Sequence, residues 1–183
     1  MHACNLVITF VLGILTLGVA RAENPNATFN ARIMVSTKRF PASAKSPSLY
    51  VAAIRKQAGT NFVEDKSTHS WKLYLAGFLK TKLDDVEYML KIYEVGGRSQ
   101  QLLKTFDQYT DERGQQTILT NIVLDKTEIG VNKEILITME SKGKVLASGR
   151  VKILGEGERF SGKVDFSGDE DADDGAKKPE PKK

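Results

Sequence analysis

Apolar and polar residues alternate with a period of two along most of the chain, which is the pattern of strands buried on one face. Clusters rich in Pro, Gly and Asp separate these segments and are typical of turns. The alternating segments are 29–35, 48–55, 70–79, 86–95, 102–109, 117–124, 134–140, 144–153 and 163–167. The spacing predicts an all-β fold: a single antiparallel β-sandwich domain, immunoglobulin-like, with about eight or nine strands.

A second architecture fits the same alternation. A small closed β-barrel that carries an apolar ligand needs a similar number of strands. Pairing between the first and last strands, or an internal cavity, would distinguish the barrel from the sandwich. The helix-like stretches are 99–103 and 125–130, and both are short.

Two hairpins are predicted by matching apolar faces. Residues 71–79 pair with 86–94 so that Leu75 faces Leu90 and one side is continuously apolar. Residues 135–140 pair with 144–149 through a three-residue loop in which Gly143 is left-handed.

The other face of the first hairpin mixes aromatic side chains with charged ones. Aromatic rings beside lysines can form an adhesive surface for protein or sugar rings if the face is exposed. This face is the candidate partner-binding patch, and a protein or a glycan is the expected partner. Its residues are Lys72, Tyr74, Phe78, Met89, Lys91 and Tyr93.

The N-terminus carries an apolar run over residues 6–19, followed by Ala20-Arg21-Ala22. A short apolar core followed by small residues spaced A-x-A is typical of a cleaved signal peptide. The run is shorter than the roughly 20 residues that a membrane-spanning helix needs. We therefore expect a signal peptide over 1–22, no stable membrane span, and export to the periplasm or the extracellular space.

The composition divides the remainder of the chain. A polar leader is expected over 23–28 and one domain over 29–168. Residues 169–183 carry no aromatic or large aliphatic side chain and are expected to be a disordered, charged tail with an acidic first half. The net charge is +4, and the lysines are spread along the chain rather than clustered. Nucleic acid is not an expected partner, because export is expected and the chain carries no nucleic-acid-binding motif.

Few residues of the expected exported chain suit catalysis. The single cysteine, Cys4, and one of the two histidines lie in the signal segment, which leaves a cysteine-free domain with His69. Zinc sites built from His and Cys, and Cys–His catalysis, are excluded on this count. We expect no catalytic site, no metal and no cofactor. The expected function is an exported, non-enzymatic binding or structural module of the cell envelope, ahead of the barrel carrier and, third, a carboxylate-dependent hydrolase.

Overall fold

The computed structural model describes residues 24–96 and 99–155. Within these ranges eight strands build one curled, mixed sheet, and strands make up 49% of the structure. The strands are β1 (Arg32–Ser36), β2 (Asn61–Val63), β3 (Ser70–Phe78), β4 (Glu87–Glu94), β5 (Gln101–Tyr109), β6 (Thr117–Asp125), β7 (Lys133–Ser141) and β8 (Lys144–Leu154). The helices are α1 (Pro25–Thr28), α2 (Pro47–Gln57) and α3 (Lys126–Ile129). The all-β expectation is confirmed.

The strand order is β5-β4-β7-β8-β1-β3-β6, and β2 also pairs with β8. The sequence predicted an antiparallel sheet, but the sheet is mixed, because β1 and β2 both run parallel to β8. Parallel neighbours need a crossover between them along the chain rather than a tight turn. Here α2 lies between β1 and β2, so it returns the chain for a second strand in the same direction.

The prediction of a strand at 48–55 is wrong, because this segment is α2. The helix begins after Ser46, whose side chain accepts a hydrogen bond from the Leu49 N–H, and Pro47 occupies its first turn. The buried residues of the helix are Tyr50, Val51 and Ile54. Tyr, Val and Ile also favour strands, so their helical spacing resembles alternation in the sequence.

Of the two helix-like stretches, residues 125–130 contain α3, which Asp125 caps at its start and Gly130, at φ 80°, at its end. Residues 99–103 are not helical, and β5 begins within them. The expected leader contains α1, a single turn capped by Asn24. The expected signal peptide, the strand at 163–167 and the charged tail lie outside the described residues.

The first predicted hairpin is also wrong. β3 pairs with β1 on one side and β6 on the other, whereas β4 pairs with β5 and β7. The apolar faces of β3 and β4 do line one core, but from different parts of the sheet. A matching apolar face fixes which side of a strand is buried and not which strand is its neighbour.

The second predicted hairpin forms, with its register shifted by two residues up to Met139 and by one residue between the bulge and the turn. Met139 pairs with Ala147 rather than Val145, and a bulge follows at Leu146. The loop is a two-residue turn in which Lys142 (φ 50°) and Gly143 (φ 75°) are both left-handed, which matches the twist of the strands. The shift of two leaves the side chains before the bulge on their predicted faces, whereas Val145 pairs with Glu140 and is exposed.

Two apolar clusters lie on opposite faces of β3. The inner cluster holds Trp71, Leu73 and Leu75 together with buried side chains of the other strands, and the Trp71 indole N–H donates to the Leu154 carbonyl at 3.2 Å. The outer cluster packs α2 against Ala76 and Phe78. Its members are Phe29, Phe40, Tyr50, Val51, Ile54, Ala76 and Phe78. The C-terminal half of β3 is thus buried on both faces, as central strands of covered sheets are.

Strands β5 and β6, which stand at the two ends of the strand order, contact each other through side chains. Thr120 of β6 donates a hydrogen bond to the Gln108 side chain of β5 at 3.1 Å. Among the described strand pairings, β5 is bonded to β4 and β6 to β3, so this bridge uses side chains and no backbone ladder. In the part of the chain that the structure describes, no helix has the length and apolarity to cross a bilayer.

Candidate functional site

A cleft lies where β8 changes its neighbour. The Ser148 N–H donates to the Ala31 carbonyl at 3.0 Å, and Arg32 pairs with Ser148, which is the single register pair between β1 and β8. Further along β8, the Lys152 N–H donates to the Thr60 carbonyl at 2.7 Å, and β2 takes over as the neighbour. β1 meanwhile diverges towards α2. The cleft opens between the diverging strands and the end of that helix.

Three arginine residues line the cleft, which has a volume of about 660 Å³. Arg32 comes from β1, Arg55 from the last turn of α2 and Arg150 from β8. Among the described residues of the lining there is no aspartate or glutamate. We call this site the arginine cleft. Its apolar lining consists of Ala31, Ile33, Met34, Val35, Ala58, Leu136 and Val151.

The three arginines are positively charged at every relevant pH, since guanidinium does not deprotonate in proteins. Arg55 stacks over the Phe29 ring at 5.7 Å, which holds its stem against the outer cluster. Arg150 lies 3.8 Å from the Glu134 carboxylate, but its side chain is 62% exposed, so solvent weakens this pair. The cleft therefore presents positive charge over an apolar floor, which is formed by the half-buried side chains of Met34, Ala58 and Leu136.

Gly149 is part of the lining, and β1 passes very close to it. A Cβ atom at this position would lie 2.4 Å from the Ile33 carbonyl oxygen, closer than any side chain tolerates. The return from α2 is fixed by the Gly59 N–H, which donates to the Val35 carbonyl at 2.8 Å. Backbone contacts thus set the width of the cleft on both sides of β1.

The cleft reaches β7 at Leu136, and the outer face of β4 lies next to it in the sheet. Arg150 pairs in register with Leu136, and Leu136 pairs with Tyr93, so the three residues form one row across three strands. These three side chains lie on the outer face, because side chains alternate along a strand and the residues next to them in the chain, such as Ile92, Ile137 and Val151, belong to the inner cluster. We call this set the Tyr93 row.

The residues of the predicted patch divide into two groups. Lys72, Tyr74 and Phe78 lie on β3, and the other three lie on β4, with β7, β8 and β1 between those strands. Phe78 is fully buried beneath α2, with its ring 4.8 Å from that of Phe29. Lys72 is exposed and stacks over the half-buried Tyr74 at 5.7 Å. The six side chains do not form one surface, and a binding role for either group stays a prediction.

The second group of the patch, Met89, Lys91 and Tyr93, is half-buried on the outer face of β4. The Lys91 ammonium donates to the buried Glu140 carboxylate at 2.6 Å, and Thr138 donates to it at 2.9 Å. Burial alone would raise the pKa of Glu140, but these hydrogen bonds outweigh it and the pKa is lowered. The bond to Glu140 raises the pKa of Lys91. The charges of this pair are therefore matched within the face.

A polar cluster that the sequence did not reveal lies at the other end of the sheet. The Glu64 side chain is fully buried and contacts His69 Nδ1 at 3.0 Å and the Lys126 ammonium at 2.9 Å. His69 and Lys126 are both partly exposed. The cluster therefore consists of one buried carboxylate and two partners at the surface. No pattern marked Glu64, because it follows the short strand β2.

The arrangement around His69 differs from that of a hydrolytic triad. An imidazole oriented by a buried carboxylate is part of such a site, but a nucleophile must contact its other nitrogen. The Ser67 hydroxyl instead donates to Asp65 at 2.6 Å, and this bond, with others from the turn, lowers the pKa of Asp65. Ser70 is hydrogen-bonded to Thr68. In the described parts of the chain, no group of three His, Cys, Asp or Glu side chains is placed to hold a metal ion.

Comparison with known proteins finds no family model that matches the chain and no curated protein with significant similarity to it. The site must therefore be judged on its own chemistry.

Proposed function

We propose that the protein is an exported, non-enzymatic binding module of the cell envelope that holds an anionic ligand in the arginine cleft. The composition of the lining supports this proposal. It contains three arginines and an apolar floor, and none of its described residues is a carboxylate. A volume of about 660 Å³ falls in the range of roughly 300–1,000 Å³ that is usual for small-molecule sites.

The chemistry of arginine favours this reading. Each guanidinium offers a planar fork of donors that matches a carboxylate or a phosphate in bidentate geometry. Groups of one charge gathered at a cleft with apolar walls also raise the local concentration of the opposite charge. An anion in the cleft would balance charges that the lining itself leaves unmatched.

The finer parts of the proposal rest on sequence. Export is supported by the apolar run at 6–19 and by Ala20-Arg21-Ala22. An immunoglobulin-like sandwich is supported only by the strand count. Recovery of material that begins at Glu23 from the envelope fraction would support export, and an intact Met1 there would contradict it.

A second candidate is the carrier of a neutral, apolar ligand. The apolar floor of the same cleft favours it, because most of a ligand's contacts in such sites are with apolar side chains. The two candidates differ in whether the charge of the ligand contributes to binding. They can therefore be separated by one pair of probes.

The test compares two fluorescent probes that share an aromatic body and differ in charge. Anilinonaphthalene sulfonate is an anion, and N-phenyl-1-naphthylamine has the same rings without the sulfonate. We expect the purified protein to bind the sulfonate more tightly. We expect the double variant Arg55→Gln, Arg150→Gln to bind it at least about tenfold more weakly, because hydrogen bonds to charged groups contribute about 1.5–3 kcal/mol each.

The control removes two exposed charges outside the cleft, as Lys80→Gln, Arg113→Gln. This variant has the same net charge as the cleft variant, so a general electrostatic effect would weaken both equally. Equal weakening, or equal affinity of wild type for the two probes, would overturn the anion proposal. The second of these results would favour the neutral carrier.

A further inference from the structure

We infer that the ligand of the arginine cleft is a single-chain amphiphile: one carboxylate or phosphate head joined to one acyl chain. This inference rests on the proposed function and names the class of anion. It depends on how charge and apolar surface are separated within the site, and on where the apolar surface leads.

The charged and apolar parts of the lining are segregated. The three arginines are exposed, whereas the apolar side chains of Met34, Ala58 and Leu136 in the same lining are half-buried. A ligand that matches this surface carries its charge at one end and is apolar elsewhere. A carboxylate laid on the floor would lose its hydration without a partner, which is strongly unfavourable.

The Tyr93 row gives the apolar part of the ligand a path out of the cleft. From Arg150 it crosses β7 at Leu136 and reaches Tyr93 on β4, a span of about 10 Å for two strand spacings. The neighbouring row is polar, because Ser148 is followed by Thr138 and then by Lys91. An acyl chain would therefore follow the Tyr93 row and not the row beside it.

An acidic peptide fits the same arginines less well. Its carboxylates recur along its length, so some of them would lie over Leu136 and Tyr93 instead of at the guanidinium groups. Those carboxylates would lose hydration against apolar side chains. A simple inorganic anion would satisfy the arginines and leave the apolar floor uncovered.

The test is calorimetric titration of the purified protein with a series of ligands below their micellar concentrations. The series is acetate, octanoate, dodecanoate, dodecyl phosphate, methyl dodecanoate and a hexa-aspartate peptide. We expect dodecanoate and dodecyl phosphate to bind at least about tenfold more tightly than octanoate, because each buried methylene adds to affinity. Acetate, the uncharged ester and the peptide should bind more weakly still.

A variant tests the path of the chain. Leu136→Ser shortens the apolar row, and we expect it to reduce dodecanoate affinity about fivefold or more while octanoate affinity changes less. The matched control is Val123→Ser on β6, where the side chain is 47% exposed and outside the cleft. Circular dichroism checks that both variants fold, and the wild-type series tests the inference even if one does not.

The outcomes separate the inference from the function on which it rests. If the arginine variant loses the sulfonate probe but affinity does not rise from acetate to dodecanoate, the binding module stands and the amphiphile is overturned. Tighter binding of hexa-aspartate than of dodecanoate also overturns it, in favour of a peptide. If neither the probe nor the fatty acids depend on Arg55 and Arg150, both proposals fail.

Discussion

The outer face of the sheet has two halves that differ in what lies over them. Across β1 and β3, α2 packs on the sheet, and Ala76 and Phe78 are fully buried in the outer cluster. Across β8, β7 and β4, no described helix covers the sheet, and the outer positions include Arg150 and Lys91. We call these the covered half and the open half.

The two halves carry similar residue types in their sequences. Phe78 and Tyr93 are both aromatic, both on outer positions, and both close to lysines along the chain. One is a core residue and the other is half-buried at the surface, because burial depends on which element packs over the strand. The strand pattern identifies the faces, but it does not say which outer face is covered.

The largest expected effect separates the halves by stability. Phe78→Ala removes a fully buried ring that contacts Phe29, so we expect it to lower the free energy of unfolding by about 3–5 kcal/mol. Tyr93→Ala on the open half should cost less than about 1 kcal/mol. Urea unfolding at 25 °C measures both. Similar losses for the two variants would mean that the open half is covered as well.

A smaller effect is expected at the boundary between the halves. Gly149→Ala places a methyl group 2.4 Å from the Ile33 carbonyl oxygen, so β1 must shift, at a cost of about 1–3 kcal/mol. Gly96→Ala is the control, because nothing lies within 4 Å of its added Cβ, and it should change stability by no more than about 0.5 kcal/mol. Thermal unfolding of the two variants compares them. A neutral Gly149→Ala would argue that β1 and β8 are not in close contact.

The smallest effect concerns the pH dependence of the open half. The pKa of Glu140 is lowered in the folded protein, so its contribution to stability is present at neutral pH and lost as the pH falls through that lowered value. Lys91→Met removes the bond that opposes the effect of burial, so the pKa of Glu140 should rise. We expect the variant to be less stable than wild type at pH 7 and to lose less stability than wild type on acidification, because ionised Glu140 is no longer favoured in the folded state.

Urea unfolding at pH 7, 5, 4 and 3 measures this shift. The control is Lys104→Met, which removes an ion pair with Glu128, a carboxylate that is about half exposed. This pair should contribute little, so the acid side of its stability curve should resemble that of wild type. If Lys91→Met and Lys104→Met give the same curve, Glu140 does not depend on Lys91.

Much of the fold could be predicted from alternation alone. The strands at 70–79, 86–95, 102–109, 117–124, 134–140 and 144–153 are present, with ends that differ by a few residues. What alternation could not supply was pairing, since any apolar face is compatible with several neighbours. It also could not identify α2, whose buried residues are types that favour strands.

The arginine cleft could not be predicted from the sequence for a related reason. Arg32, Arg55 and Arg150 are far apart along the chain and belong to no motif. They come together because β1 runs parallel to β8, and a parallel pair leaves no turn in the sequence to mark it. Tyr93 was in the predicted patch, but its neighbours in the sheet are residues of β5 and β7 rather than of β3.

The position of β8 has a consequence for how the protein folds. It is the last described strand in the chain, yet it lies in the middle of the sheet and pairs with β7, β1 and β2. The β1–β8 contact joins opposite ends of the domain, and contacts of long sequence separation form slowly because a large loop must close first. The hairpin of β7 and β8 can form early because its strands are adjacent in sequence. Pairing of β1 with β8 requires closure of the long loop between them. The arginine cleft should therefore be one of the last features to form during refolding.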